Sequence, residues 1–208
     1  MRKSFSAPAG DRTLTGMSSV SAPDRGTRAR TRAAILDAAA SVLSRRPAAS
    51  LGEVAEAAGV GRTTLHRYFP ERADLIEALS THLLEQIGEA VRRADLERGP
   101  ARAALLRACR ELFDLGDLLA VIFLGDPSLS ERAEWQTDTE ADAALLAAAA
   151  RGHADRSIDP ALTATWVQSL VWMVLYGAEA YVREHGGSRH AALDMALRSL
   201  DGALRPAD

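Results

Sequence analysis

The chain has 208 residues, 47% of them hydrophobic, 25% charged and only 5% aromatic, the profile of a globular protein long enough to bury a sizeable core. Its single cysteine, Cys109, excludes an intrachain disulfide, and the strongly apolar stretch near the C-terminus, Leu170 to Tyr176, is far too short to span a bilayer. The expectation is therefore a cytoplasmic protein with no membrane attachment. Net charge is −3 but unevenly spread, with 12 basic against 6 acidic residues up to Arg72 and 13 against 22 beyond it, so only the front of the chain suits a polyanion.

Residues 1–27 are rich in Ser, Ala, Pro, Gly, Thr and Arg without an apolar period, and are expected to form a disordered arm. Nothing before Met17 reads as structural, so Met1 and Met17 are both acceptable starts. The basic run that includes Arg28 and Arg30 leads into a first helix, expected over about Thr31 to Arg45. There Ala34, Ile35, Ala38, Ala39, Val42 and Leu43 recur at spacings of three and four. Pro47 stops it. Ser50-Leu51-Gly52-Glu53 is a capping box that opens a short helix with Val54, Ala55 and Ala58 inward, and Gly59 closes that helix. The turn Gly59-Val60-Gly61 leads into a third helix, Arg62 to about Phe69, which Pro70 ends. Two short helices across a glycine turn form a helix-turn-helix pattern.

Longer helices follow. One runs from Glu71 or Arg72 to about Glu97, with Leu75, Ile76, Leu79, Leu83, Leu84, Ile87 and Val91 as its stripe. Others are expected over about Ala101 to Leu115, Leu118 to Leu124, Ser130 to Arg151, Asp159-Pro160 to Glu184, and Ser188 to Leu204. No strand pattern and no internal repeat is visible. The fold class is all-α, with an N-terminal three-helix helix-turn-helix DNA-binding domain over residues 28–72. A C-terminal helical domain covers residues 73–208.

In a helix-turn-helix the second helix enters the major groove. Leu65 and Phe69 lie four apart and face inward with Val60. Arg62, Thr63, His66 and Arg67 are then turned outward, with Thr64 and Tyr68 flanking. Arg pairs with guanine O6 and N7, and the Thr methyl can touch the thymine methyl. An enzyme would need a clustered set of acids, bases or nucleophiles. His153, Asp155 and Asp159 are close in sequence but fall in a loop without metal-ligand spacing, so no catalytic residue, metal or cofactor is expected. A non-specific DNA-binding protein is the other alternative, and it would need basic charge over far more than the front third.

Three stretches together resemble the TetR family of transcriptional regulators: Ile35-Leu36-Asp37-Ala38-Ala39, Val54 to Val60, and Thr64-Leu65-His66-Arg67-Tyr68-Phe69-Pro70 through Leu75. The resemblance covers about Arg30 to Leu79. It implies double-stranded operator DNA as a partner, with Arg62, Thr63 and Thr64 reaching bases and Arg67 in or beside the groove. Tyr68 would approach the DNA backbone, and His66 stands where the family commonly has a phosphate-contacting Tyr. Arg72 would meet phosphate at a helix N-terminus, and Ser50 would cap and bind phosphate. Gly61 departs from the usual Ser or Thr cap and Gly52 sits inside a helix, each at a cost in helix stability.

The resemblance also implies a homodimer formed through the last two long helices, and a small-molecule effector bound among the core helices. Cys109, Phe113, Phe123, Trp135, Trp166, Trp172, Met173 and Tyr176 are the candidate lining residues, and the scarcity of polar groups besides Gln168 and Ser169 favours an apolar ligand. Repression relieved by that ligand is the function implied, and a family member that senses no ligand is the alternative.

Overall fold

Helix α1 of the computed structural model spans Ala22–Arg45 and so begins inside the segment expected to be a disordered arm. The structure describes residues 22–125, 129, 132, 135 and 137–206, and the remainder of the expected arm lies outside them. Pro23 is tolerated there because the first helical turn needs no N–H from it. After Pro47, Ser50 opens α2 (Leu51–Ala57). Its Oγ accepts from the Glu53 N–H at 3.3 Å while the Glu53 carboxylate accepts from the Ser50 N–H at 2.7 Å, the reciprocal capping that the sequence announces.

Gly59 takes φ +66°. Its N–H bonds the Glu56 carbonyl and the Val60 N–H bonds the Ala55 carbonyl, a glycine-terminated helix end that turns the chain into α3 (Arg62–Tyr68). Leu65 and Phe69 are buried, which docks α3 on the head.

Helix α4 (Arg72–Arg93) buries Leu75, Ile76, Leu79, Leu83, Ile87 and Val91. It ends before the expected Glu97 because Asp95 adopts φ +49°. Arg107 donates to the carbonyls of Ala94, Asp95 and Arg98, which fixes that turn. Helix α5 (Ala101–Phe113) has its first N–H groups capped by Asp155 and Ser157 from a distant loop. Gly116, at φ +58°, precedes α6 (Asp117–Leu124).

Of the helix expected over Ser130 to Arg151, residues 130, 131, 133, 134 and 136 lie outside the described residues; α7 covers Glu140–Ala154, and Thr139 and Asp142 form a capping box that sets its start. Likewise α8 covers Ala164–His185 rather than starting at Pro160, because Thr163 caps it by accepting from the Trp166 N–H at 3.2 Å. Helix α9 covers Arg189–Leu204.

Helices α1, α2 and α3 form the head, and α1 also packs along α6. Helix α4 leaves the head and packs on α5 and α7, α8 lies against α7 and α9, and α5 runs through the middle. One buried apolar core joins the two halves, from Ile35 and Leu43 through Leu79, Leu105 and Leu112 to Val171 and Leu200. Among the described residues there is no strand, and no helix is long and apolar enough to cross a membrane.

Candidate DNA-binding head and effector cavity

The outer face of α3 presents Arg62, Thr63, His66 and Arg67 to solvent, with Thr64 and Tyr68 half-buried beside them. The 3.6-residue period dictates this once Leu65 and Phe69 are turned inward. His66 donates from Nδ1 to the Pro70 carbonyl at 3.2 Å, which leaves Nε2 on the exposed side. Arg62 lies against α2: a Cβ on Gly52 would stand 3.2 Å from its Nε. Glycine in that helix thus leaves room for the guanidinium of the first residue of α3.

Helix α1 reaches the same face, since its start is helical rather than loose. Arg28 lies 5.7 Å from the Tyr68 ring centroid and Arg67 lies 5.8 Å from it. A cleft of about 340 Å³ runs between Thr27, Arg28 and Thr31 on α1 and Thr64, Arg67 and Tyr68 on α3. Thr27 and Thr31 belong to this face although the sequence reading did not single them out. Their three- and four-residue spacing around Arg28 was the available signal, but it has meaning only if the segment is helical. Arg32, the last residue of the basic run, sits 5.7 Å from the Phe69 ring. Arg30 lies outside the cleft, donating to Thr27 Oγ1 at 3.2 Å.

Two side chains expected to meet phosphate also make contacts within the protein. Arg72 is half-buried, and its guanidinium donates to the carbonyls of Ala49 at 2.6 Å and Pro47 at 2.5 Å. It therefore braces the loop before α2. Ser50 donates its hydroxyl to Glu53 at 3.0 Å. Glu53 also takes Arg46 at 2.5 Å. The Ser50 N–H, foremost, holds the Glu53 carboxyl below the usual carboxylate range, with the Ser50 hydroxyl and Arg46 adding to the effect.

In the second half a cavity of about 240 Å³ opens between α4, α6, α7 and α8. Leu84 and Ile87 come from α4, and Leu119, Ile122 and Phe123 come from α6. Trp135, Thr137 and Thr139 precede α7, Asp142 lies in its first turn, and Trp172 comes from α8. Among the described lining residues Asp142 carries the one formal charge. Its Oδ2 accepts from the Thr139 N–H and hydroxyl, and its Oδ1 accepts from Gln168 Nε2 at 3.1 Å. These neutral donors orient the carboxylate without cancelling its charge.

Of the expected pocket residues, Phe123, Trp135 and Trp172 line this cavity. Cys109 and Phe113 do not: both are buried in the core, where burial pushes the Cys109 thiol up to about 12. Trp166, Met173 and Tyr176 point away from it, 51%, 45% and 47% exposed on the outer face of α8. Tyr176 touches the pocket wall only from behind, edge-on to Phe123 at 5.7 Å. Among the described residues no group of three or more His, Cys, Asp or Glu is placed to hold a metal ion.

Residues 35–79 match the family described as bacterial regulatory proteins, tetR family. The HTH-type transcriptional repressor LfrR of Mycolicibacterium smegmatis is 36% identical over 186 residues, covering 87% of this chain and 94% of the relative. The HTH-type transcriptional regulator NfxB of Pseudomonas aeruginosa is 32% identical over 180 residues, covering 83% and 94%. The crystal structure of LfrR from Mycobacterium smegmatis in complex with proflavine superposes with a TM-score of 0.65 over 86% of this chain and 98% of that one. These relatives are regulators rather than enzymes, and their likeness runs through both halves of the molecule. The chain belongs to the TetR family of helix-turn-helix transcriptional regulators.

Proposed function

We propose that this regulator acts in the cytoplasm as a homodimeric repressor that leaves its operator when a planar, aromatic cation enters the cavity between α4, α6, α7 and α8. The observation that carries the ligand class is the lining itself: Trp135, Trp172 and Phe123 offer aromatic faces, and Asp142 offers a negative charge with no basic side chain among the described lining residues. An aromatic wall attracts a delocalised cation through the ring quadrupole, and a partly desolvated carboxylate adds Coulomb attraction. The apolar ligand expected from composition thus gains a positive charge. Proflavine, bound by the relative LfrR, belongs to this chemical class.

The DNA contacts fall to Arg62, Thr63, Thr64, His66 and Arg67 on α3. Arg28 and Tyr68 grip the backbone from the cleft shared with α1. Dimerisation is assigned to the outer face of α8, where Trp166, Met173, Tyr176 and Tyr181 are exposed along one side, with Met195 exposed on α9. An apolar stripe of this size is costly in water and suits a second copy of the same helix pair. Two heads held in this way meet half-sites about 34–36 Å apart, one helical turn or a multiple.

The test is footprinting on the DNA upstream of its own coding sequence across a salt series, repeated with proflavine. A protected palindrome lost on adding proflavine supports the reading. Protection that survives saturating proflavine removes the effector part and leaves the operator part standing.

A further inference from the structure

We infer that Ser80 is a positioning residue for the effector cavity, pinning the Trp135 indole and joining it to α4, so that cavity occupancy is felt by the helix that carries the head. The inference rests on the effector reading above and adds the joint through which effector and DNA are coupled.

Trp135 donates from Nε1 to Ser80 Oγ at 2.8 Å, across 55 residues of sequence. Ser80 is fully buried, and it is the polar member of an otherwise apolar buried face of α4. A hydroxyl and an indole N–H taken out of water cost stability unless they pair. Here they pair with each other, and the bond fixes the plane of an indole that lines the cavity.

The position of Ser80 on α4 gives that bond its consequence. Leu84, one turn further on, lines the same cavity. Arg72, eight residues before it and about 12 Å along the axis, grips the loop ahead of α2 through the carbonyls of Pro47 and Ala49. A ligand stacked on Trp135 therefore presses on a side chain tied to α4. Any shift of the indole either breaks the bond or carries α4 with it. By linkage, operator binding must act on the indole in return.

The experiment uses the full-length protein, proflavine as effector probe and an operator selected from random sequence. Coupling is the ratio of operator Kd at saturating proflavine to that without it, expected in wild type within roughly 5–150-fold. Ser80→Ala and Trp135→Phe should each reduce that ratio by about fivefold or bring it to unity, the scale of one hydrogen bond. Ser80→Thr, which keeps the hydroxyl, should retain most of it. The double substitution should be no worse than either single one, because both remove the same bond. A merely structural serine would lower Tm and leave the saturated ratio unchanged.

A second readout needs no effector. The Trp135 indole N–H resonance should shift when operator binds wild type, and the shift should shrink in Ser80→Ala. If proflavine fails to bind wild type, the effector reading falls, and this resonance still judges the joint. An indole unmoved by operator, single variants within twofold of the wild-type ratio, or effects that multiply in the double variant would each overturn the inference.

Discussion

The guanidinium of Arg72, the first residue of α4, donates to the carbonyl of Ala49, the residue before the cap of α2, at 2.6 Å. A side chain that reads in the sequence as a phosphate contact is thus a brace between the helix leaving the head and the loop that starts the helix-turn-helix. Arg72→Ala should cost about 1–2 kcal/mol, since it removes two charge-assisted bonds at a half-exposed site. Hydrogen exchange should rise over residues 47–57, and operator affinity should fall with it. If affinity falls with exchange unchanged, the side chain acts on DNA directly.

Gly52→Ala separates folding from DNA recognition. An alanine inside α2 gains up to about 1 kcal/mol in helix propensity. Its Cβ, however, would stand 3.2 Å from Arg62 Nε and push that guanidinium outward by a few tenths of an ångström. The expected result is an unchanged or higher Tm with weaker operator binding, and a changed preference at the base proposed for Arg62. Chemical denaturation and binding to an operator library measure the two sides.

The capping box of α2 carries a pH signature. Its Ser50 partner lowers the Glu53 carboxyl below its ordinary value of 4.5. The stability this adds is fully present above that ordinary value and is lost as pH falls through the lower folded value. Glu53→Gln keeps a side chain able to accept from the Ser50 N–H and cannot titrate. The stability difference between wild type and Glu53→Gln should therefore shrink on acidification through this range. A constant difference from neutral pH down to acid unfolding would contradict the assignment.

Gly152→Ala should destabilise by about 1–3 kcal/mol, the range for overpacking. A Cβ there would fall 2.2 Å from the Ile158 Cδ1 at the end of α7. Ile158→Val in the same chain removes that methyl and should recover part of the loss. Gly202→Ala in α9 is the control: its Cβ meets nothing within 4 Å, and unfolding should show a gain of up to about 1 kcal/mol.

Met173→Glu places a charge in the middle of the exposed stripe of α8 without touching the cavity lining. On the proposed dimer, sedimentation should show wild type as a dimer and the variant as a monomer at the same concentration, and operator binding should weaken sharply because two linked heads become one. A variant that stays dimeric would move the interface elsewhere.

The helix-turn-helix was legible because its signals are local. Ser50 and Glu53 cap within one turn, Gly59 allows positive φ, and Leu65 with Phe69 fixes which face of α3 is turned out. The other helices were legible from period, and the starts of α4, α5, α6 and α9 with them to within a residue, but those of α7 and α8 were not: Thr139 and Thr163 cap where the sequence pattern suggested nothing special. The start of α1 was missed because Ala22–Arg30 has no apolar stripe of its own, and the placement of Thr27 and Thr31 was missed with it.

The sequence by itself determined the class of fold and which side of α3 is turned outward, since capping, turn chemistry and periodicity act over a few residues, and its family motif over residues 35–79 determined the kind of protein. Tertiary structure alone decided which apolar side chains surround a cavity. Trp166 and Trp172 lie on one helix, yet only the second lines the space. It also decided where Arg72 points and that Trp135 meets Ser80. Periodicity says which face of a helix is apolar, whereas the neighbour that covers that face is set by how distant segments pack.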